Sequence, residues 1–226
     1  MDNIMDNIID KYDLFVFDLD DTLIKTEYVY YESFLKAAKF YLKDELYHIS
    51  SNEYFLIFHS LNPNSIKEYV STTFKIDNYE DILNLRNNYF FDEMNREKNK
   101  IEMIEGSANF LNKIIQKSKQ FVIVSNTFKK NIEFFSELFP ILKHSSKNYY
   151  REILKNKKPH PECYLKVIDD FPKKKIVCFE DSLVGIHACS QAHEIDMYFI
   201  NSTNYIYCDY IINNYKINQI ENYNLK

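Results

Sequence analysis

Short apolar runs that each end in a cluster of polar residues constrain this chain more than any other feature. LFVF (14–17) runs into Asp18, Leu19, Asp20, Asp21 and Thr22. QFVIV (120–124) runs into Ser125, Asn126 and Thr127, and KIVCF (175–179) into Glu180, Asp181 and Ser182. A further apolar run spans Met197 to Ile200. Between these runs, helical spacing covers the stretch from Gly106 to about 117, then 127–138 (stopped by Pro140), 161–170 and 182–191. Short apolar strands alternating with helices predict an α/β fold with a doubly wound parallel sheet. One strand lies before residue 24 and the others after 106. The stretch between them reads as helices over 27–46, 52–60, 65–74 and 78–97, with a turn at Pro63 and Asn64. Tyr31, Phe34, Leu35, Ala38 and Leu42 fall at helical spacing there, and no convincing strand occurs. The expected organisation is a discontinuous core, 1–24 with 106–226, and an inserted all-helical cap, 25–105.

Composition narrows the chemistry. The 226 residues include only two glycines, Gly106 and Gly185. A P-loop needs two glycines at fixed spacing and a dinucleotide fingerprint three, so neither can be built. Any phosphate must be held without a glycine-rich cradle. The formal net charge of −5 argues against a nucleic-acid partner, which calls for a basic field. The lysine runs at 155–158 and 173–175 read as solvated faces or loop ends. No apolar run approaches the ~20 residues of a membrane span. The MDNIMDNIID start is acidic and lacks the apolar core of a signal peptide. Four cysteines, none in C-x-x-C spacing, fit a reducing, cytoplasmic setting, with Cys178 as a small core residue.

In open α/β sheets ligands bind beyond the carboxyl ends of the strands. Taken singly, the polar groups there have plain readings as turns and helix caps, and Lys158 as a surface lysine. Together they are harder to dismiss. Carboxylates at the ends of very apolar strands are costly to bury unpaired, and a divalent cation is the natural compensation.

The ordered set resembles the haloacid dehalogenase superfamily, in particular its phosphatase and β-phosphoglucomutase-like branch. D-x-D-x-T stands here as Asp18, Leu19, Asp20, Asp21 and Thr22. A strand-ending Ser is Ser125, a Lys followed by Pro is Lys158, and the acidic pair is Glu180 and Asp181 in EDSLVGIHA. Four motifs in order cover about the whole chain, and the helical block matches that branch's cap.

The resemblance implies a Mg²⁺-dependent phosphatase. Asp18 is expected to form an aspartyl-phosphate, and Asp20 to act as general acid and then general base. Ser125, Lys158 and the main-chain N–H of Asn126 are expected to hold the phosphoryl oxygens. Asp18, the Asp20 carbonyl and Asp181 are expected to bind the metal, with Glu180 as a ligand or a supporting acid. The physics agrees. A carboxylate nearing a phosphate monoester meets like charge, about 4 kcal/mol per unit pair at ~4 Å and an effective dielectric near 20. A lysine and a metal ion cancel that repulsion. The expected substrate is a small phosphorylated metabolite, and the expected assembly a monomer or weak homo-oligomer.

Two departures from the family pattern stand out. Asp21 replaces the usual Gly, a variation that is not expected to inactivate. Tyr30 stands where mutase-like relatives carry a His, which favours hydrolysis over a phosphomutase reaction. A non-catalytic binding protein on the same fold is the third reading. Lys157 competes with Lys158 for the phosphate role, with Lys158 favoured. His160 and His187 read as helix-entry and helix-surface residues. In the cap, residues 59–65 are the candidate substrate loop. Arg86 and Arg96 read as surface charges, and Tyr28, Tyr31 and Tyr41 as cap core.

Overall fold

A computed structural model describes residues 4–58, 61, 64–75, 78–201, 208–215 and 217–224. The chain divides into two compact units, Met1–Lys25 with Glu102–Lys226, and Thr26–Ile101.

The first unit is built on a six-stranded parallel sheet in the order β3-β2-β1-β4-β5-β6. In chain order its elements are α1 (Ile4–Lys11), β1 (Leu14–Phe17), then α6 (Ser107–Gln116), β2 (Gln120–Val124), α7 (Lys129–Leu138) and β3 (Asn148–Tyr149). They continue with α8 (Glu162–Asp170), β4 (Ile176–Glu180), α9 (Leu183–Ser190), β5 (Ile195–Ile200), α10 (Cys208–Tyr215) and β6 (Asn218–Ile220). The helices α2–α5 belong to the second unit.

β1 lies in the middle, paired with β2 on one side and β4 on the other, and all four of its residues are buried. Leu14 and Val16 join Val122, Val124, Cys178 and the inner residues of α8 and α9 in one core cluster. Phe15 and Phe17 point to the other face. There Phe17 stacks on Phe179 with ring centroids 5.0 Å apart, and both meet Phe110 of α6 edge-on. Phenylalanine fills this face in a chain without tryptophan.

The structure adds α1, β3, α10 and β6 to the sequence reading. In α1 the inward residues are Met5, Ile8 and Ile9. That is a helical period, concealed by the acidic composition around it. Asp6 and Asp10 pair with Lys113 at 2.7 Å and Lys117 at 3.1 Å, tying the helix to the α6 region. β3 has only two residues, too few to show a period.

The second unit holds α2 (Glu27–Leu42), α3 (Ser51–Phe58), α4 (Ser65–Phe74) and α5 (Tyr79–Glu97). α2 stops four residues earlier than its pattern suggests, because Lys43 takes a left-handed conformation at φ 53° and caps it. The core of this unit is aromatic. Phe34 and Tyr54 are buried at its centre, with Phe58, Tyr69 and Phe74 packed around them. Tyr31 and Tyr41 pack against this cluster, whereas Tyr28 is half exposed.

Candidate active site

The parallel sheet brings the ends of β1, β2 and β4 together. The ladder continues one residue past β1, where the Asp18 N–H donates to Phe179 O at 3.0 Å. Asp18 is thereby fixed at the carboxyl edge of the central strand. The chain then turns tightly. Leu23 N–H and Ile24 N–H both donate to Leu19 O at 3.0 Å, and Asp21 N–H donates to Ile24 O at 2.7 Å. Asp21 adopts φ 54°, the left-handed region that favours glycine. Aspartate is among the few other residues that enter this region readily, which accounts for its presence there.

Lys158 is buried, and its ammonium lies among the strand ends. It donates to Asp18 Oδ1 at 2.6 Å, to Val124 O at 2.8 Å and to Glu180 Oε1. Lys157 is exposed, so the second lysine of the pair is the one that reaches the carboxylates. Asn126 clamps the Lys158 main chain from both sides. Its Oδ1 accepts from Lys158 N–H at 3.0 Å, and its Nδ2 donates to Lys158 O at 3.1 Å. Ser125 Oγ donates to Asp20 Oδ2 at 3.2 Å and accepts from Thr127 N–H at 3.1 Å.

Glu180 ends β4, and both of its carboxylate oxygens meet protein donors. Oε1 accepts from Lys158 and from Tyr164 OH at 2.8 Å, and Oε2 from Ser182 N–H at 3.3 Å and Ser182 Oγ at 3.1 Å. Ser182 also caps α9, accepting from Gly185 N–H at 3.1 Å. Asp181 Oδ1 accepts from Thr22 Oγ1 at 2.9 Å.

Asp18, Glu180 and Asp181 each offer an oxygen, and these atoms lie within 4.8 Å of one another. Burial pushes the Asp18 carboxyl well above the usual range, opposed by Lys158 and reinforced by Glu180 and Asp20. Burial does the same to Asp181, with Asp18 and Glu180 adding to it. For Lys158 burial works against the charge, but Asp18 and Glu180 outweigh it and hold the ammonium protonated. Three carboxyl groups facing one ammonium cannot all ionise at low cost in a buried site unless further positive charge joins them. An oxygen-only cluster of this kind fits a hard divalent cation such as Mg²⁺.

Two contributors have little signal in the sequence. Tyr164 holds Glu180 and places its ring 5.4 Å beneath the Lys158 ammonium. Its inward position on α8 beside Cys163 and Val167 was readable, but its partner was not. Tyr223, near the end of the chain, donates to Thr22 O at 3.1 Å from 201 residues away. Of the other candidates, His160 Nδ1 accepts from Glu162 N–H at 3.1 Å at the entry to α8, and His187 contacts Tyr215 OH at 2.9 Å. In the second unit, Arg96 pairs with Glu93 and with Glu97 at 3.3 Å. Arg86 instead lies over the rings of Tyr30 and Phe58, at 5.4 and 5.8 Å, and Tyr30 stacks on Phe90. Residues 59, 60, 62 and 63 of the expected substrate loop lie outside the described residues.

Residues 15–200 match the model of the haloacid dehalogenase-like hydrolase family. The chain belongs to that family, and its sheet and helices have the family's fold. Among solved structures it is similar to a haloacid dehalogenase family IA, variant 3 hydrolase from Entamoeba histolytica, at 18% identity over 94% of each chain and a TM-score of 0.75. It is also similar to CbbY from Rhodobacter sphaeroides, in complex with xylulose-1,5-bisphosphate, at 17% identity over 94% of this chain and 95% of that one, TM-score 0.73. A predicted phosphoglycolate phosphatase from Haemophilus somnus gives 17% identity over 94% and 95%, TM-score 0.71. No curated protein matches the sequence. Among the described residues, no helix is long and apolar enough to cross a membrane.

Proposed function

We propose that this protein is a Mg²⁺-dependent phosphatase that hydrolyses a small phosphorylated metabolite through a phosphoryl group carried on Asp18. The observation that carries this reading is the buried contact of Lys158 with Asp18, in a cluster that also holds Glu180 and Asp181. The relatives that bind or are described as acting on phosphorylated small molecules support the substrate class.

Asp18 attacks phosphorus, and the bond to the leaving oxygen breaks as Asp20 donates a proton to it. Asp20 then takes a proton from water, which attacks phosphorus, releases phosphate and restores Asp18. Lys158 and Ser125 face the phosphoryl oxygens, where negative charge is spread in the transition state. The Asn126 clamp orients Lys158 from its main chain. Asp18, Asp181 and the Asp20 carbonyl would hold Mg²⁺, and Glu180, with both oxygens engaged, keeps Lys158 in place. When bound, the ion supplies positive charge that cancels the repulsion between carboxylate and phosphate.

Phosphate release from a panel of sugar phosphates, phosphoglycolate and nucleotides, with and without Mg²⁺, tests this. Asp18→Asn is expected to lower kcat by at least about 10⁴-fold, as removal of a nucleophile does. Equal rates for the wild type and Asp18→Asn would remove the assignment. Isomerised product without free phosphate would establish a phosphomutase, and no turnover of any compound a binding protein.

A further inference from the structure

Residues 217–224 return to the carboxyl edge of the sheet. β6 pairs with β5 at the edge, with Ile220 beside Ile200, and Asn201 N–H donates to Ile220 O at 2.8 Å. Tyr223 follows and is buried. Its ring stacks on Phe110 at 5.4 Å and meets Phe179 at 5.7 Å and Phe17 at 6.2 Å. From this anchorage its hydroxyl donates to Thr22 O at 3.1 Å, and the Thr22 hydroxyl donates to Asp181 Oδ1 at 2.9 Å. The same segment grips the chain before α6. Tyr223 N–H donates to Glu105 O at 3.0 Å, and Asn224 Nδ2 donates to Glu105 Oε1 at 2.7 Å. Gly106, at φ 77°, leaves no space for a side chain there, since a Cβ would lie 2.8 Å from the Tyr223 carbonyl carbon.

We propose that residues 217–224 form a clasp in which Tyr223 is a positioning residue, holding Thr22 and through it Asp181 in the orientation that metal binding requires. This rests on the metal-dependent reading above. Thr22 is fully buried and sits beside the left-handed Asp21 in a tight turn. Its carbonyl needs a partner, because a buried acceptor left unsatisfied costs about 1–3 kcal/mol. Tyr223 supplies that partner from a ring held on several sides, so the turn carrying the Thr22 hydroxyl is fixed by packing rather than by local sequence. Groups that orient a ligand from behind commonly change metal affinity by about 10–100-fold when removed.

Mg²⁺ titration by calorimetry, with thermal unfolding of the metal-free protein in parallel, tests the clasp. The variants are Tyr223→Phe, which keeps the ring, Thr22→Val, and the two combined. Tyr223→Phe is expected to weaken Mg²⁺ binding about tenfold. In the Thr22→Val background it should weaken binding no further, since both changes break one relay. Wild-type affinity in Tyr223→Phe beside weakened binding in Thr22→Val would overturn the clasp and leave the metal site standing. So would a lower unfolding midpoint with unchanged affinity, or two losses that multiply independently. A wild-type protein that binds no Mg²⁺ would overturn the metal reading, and the clasp's role with it.

Discussion

Gly185 occupies the first turns of α9 directly over the Glu180 carboxylate, and a Cβ built there overlaps both carboxylate oxygens. Glu180 cannot move aside without giving up its contacts with Lys158, Tyr164 and Ser182. Overpacking of this kind costs about 1–3 kcal/mol. Gly185→Ala is therefore expected to lower stability by that amount in urea unfolding and to disturb the site as well. Unchanged stability with unchanged turnover would show that the carboxylate has room the structure does not display. At this scale the sequence was most legible where chemistry is local. Asp18, Asp20, Ser125, Glu180 and Asp181 all follow apolar strands, so topology alone gathers them. Lys158 was legible by its Pro neighbour. Tyr164 and Tyr223 were not, because each acts on a residue distant in sequence and a tyrosine in an apolar pattern reads as core.

Among the elements, β3 is the least self-sufficient. It is two residues long and pairs with β2 at the sheet edge. Asp170, in the last turn of α8, pins it by accepting from Tyr149 OH and from Lys147 Nζ, both at 2.6 Å. Those two bonds, Lys147 first, hold the Asp170 carboxyl below its ordinary 3.8. A depressed carboxyl pKa means stability present above the unfolded value and lost as pH falls through the folded one. The pair is partly exposed, so its contribution is on the order of 0.5 kcal/mol. Asp170→Asn should cost about that much at pH 7 and progressively less as pH falls below the ordinary carboxyl range, read by denaturant unfolding across that span of pH. A constant difference across that range would assign the effect to packing. The long periodic elements were readable from spacing, and the short edge strands β3 and β6 were not, since two or three residues carry no period.

For the molecule as a whole, the two compact units carry different kinds of order. The sheet unit buries charge at its carboxyl edge, whereas the core of the helical unit is a cluster of aromatic rings. A ligand that binds only the folded sheet unit stabilises that unit by mass action, about 2.7 kcal/mol at a concentration one hundred times Kd. Mg²⁺ is therefore expected to raise the unfolding midpoint of the wild type, and Asp181→Asn to abolish the rise. An equal rise in Asp181→Asn would place Mg²⁺ elsewhere. In the sequence, residues 26–101 show a change of rhythm, from strands with helices to helices alone.

Within the first unit, the chain is paired where it leaves for the helical residues and where it returns. Ile24 bridges Met103 in antiparallel register, Ile104 N–H donates to Leu23 O at 2.8 Å, and Lys25 N–H donates to Glu102 O at 3.0 Å. The Lys25 ammonium meets the Glu102 carboxylate at 2.9 Å. Seen from the sheet, everything between these two residues is a hairpin loop of unusual size. Loop closure grows only slowly with length, so the sheet bears little entropic burden from what the loop contains. Its two ends are already fastened side by side, so a loop of any other content could start and finish at the same two residues.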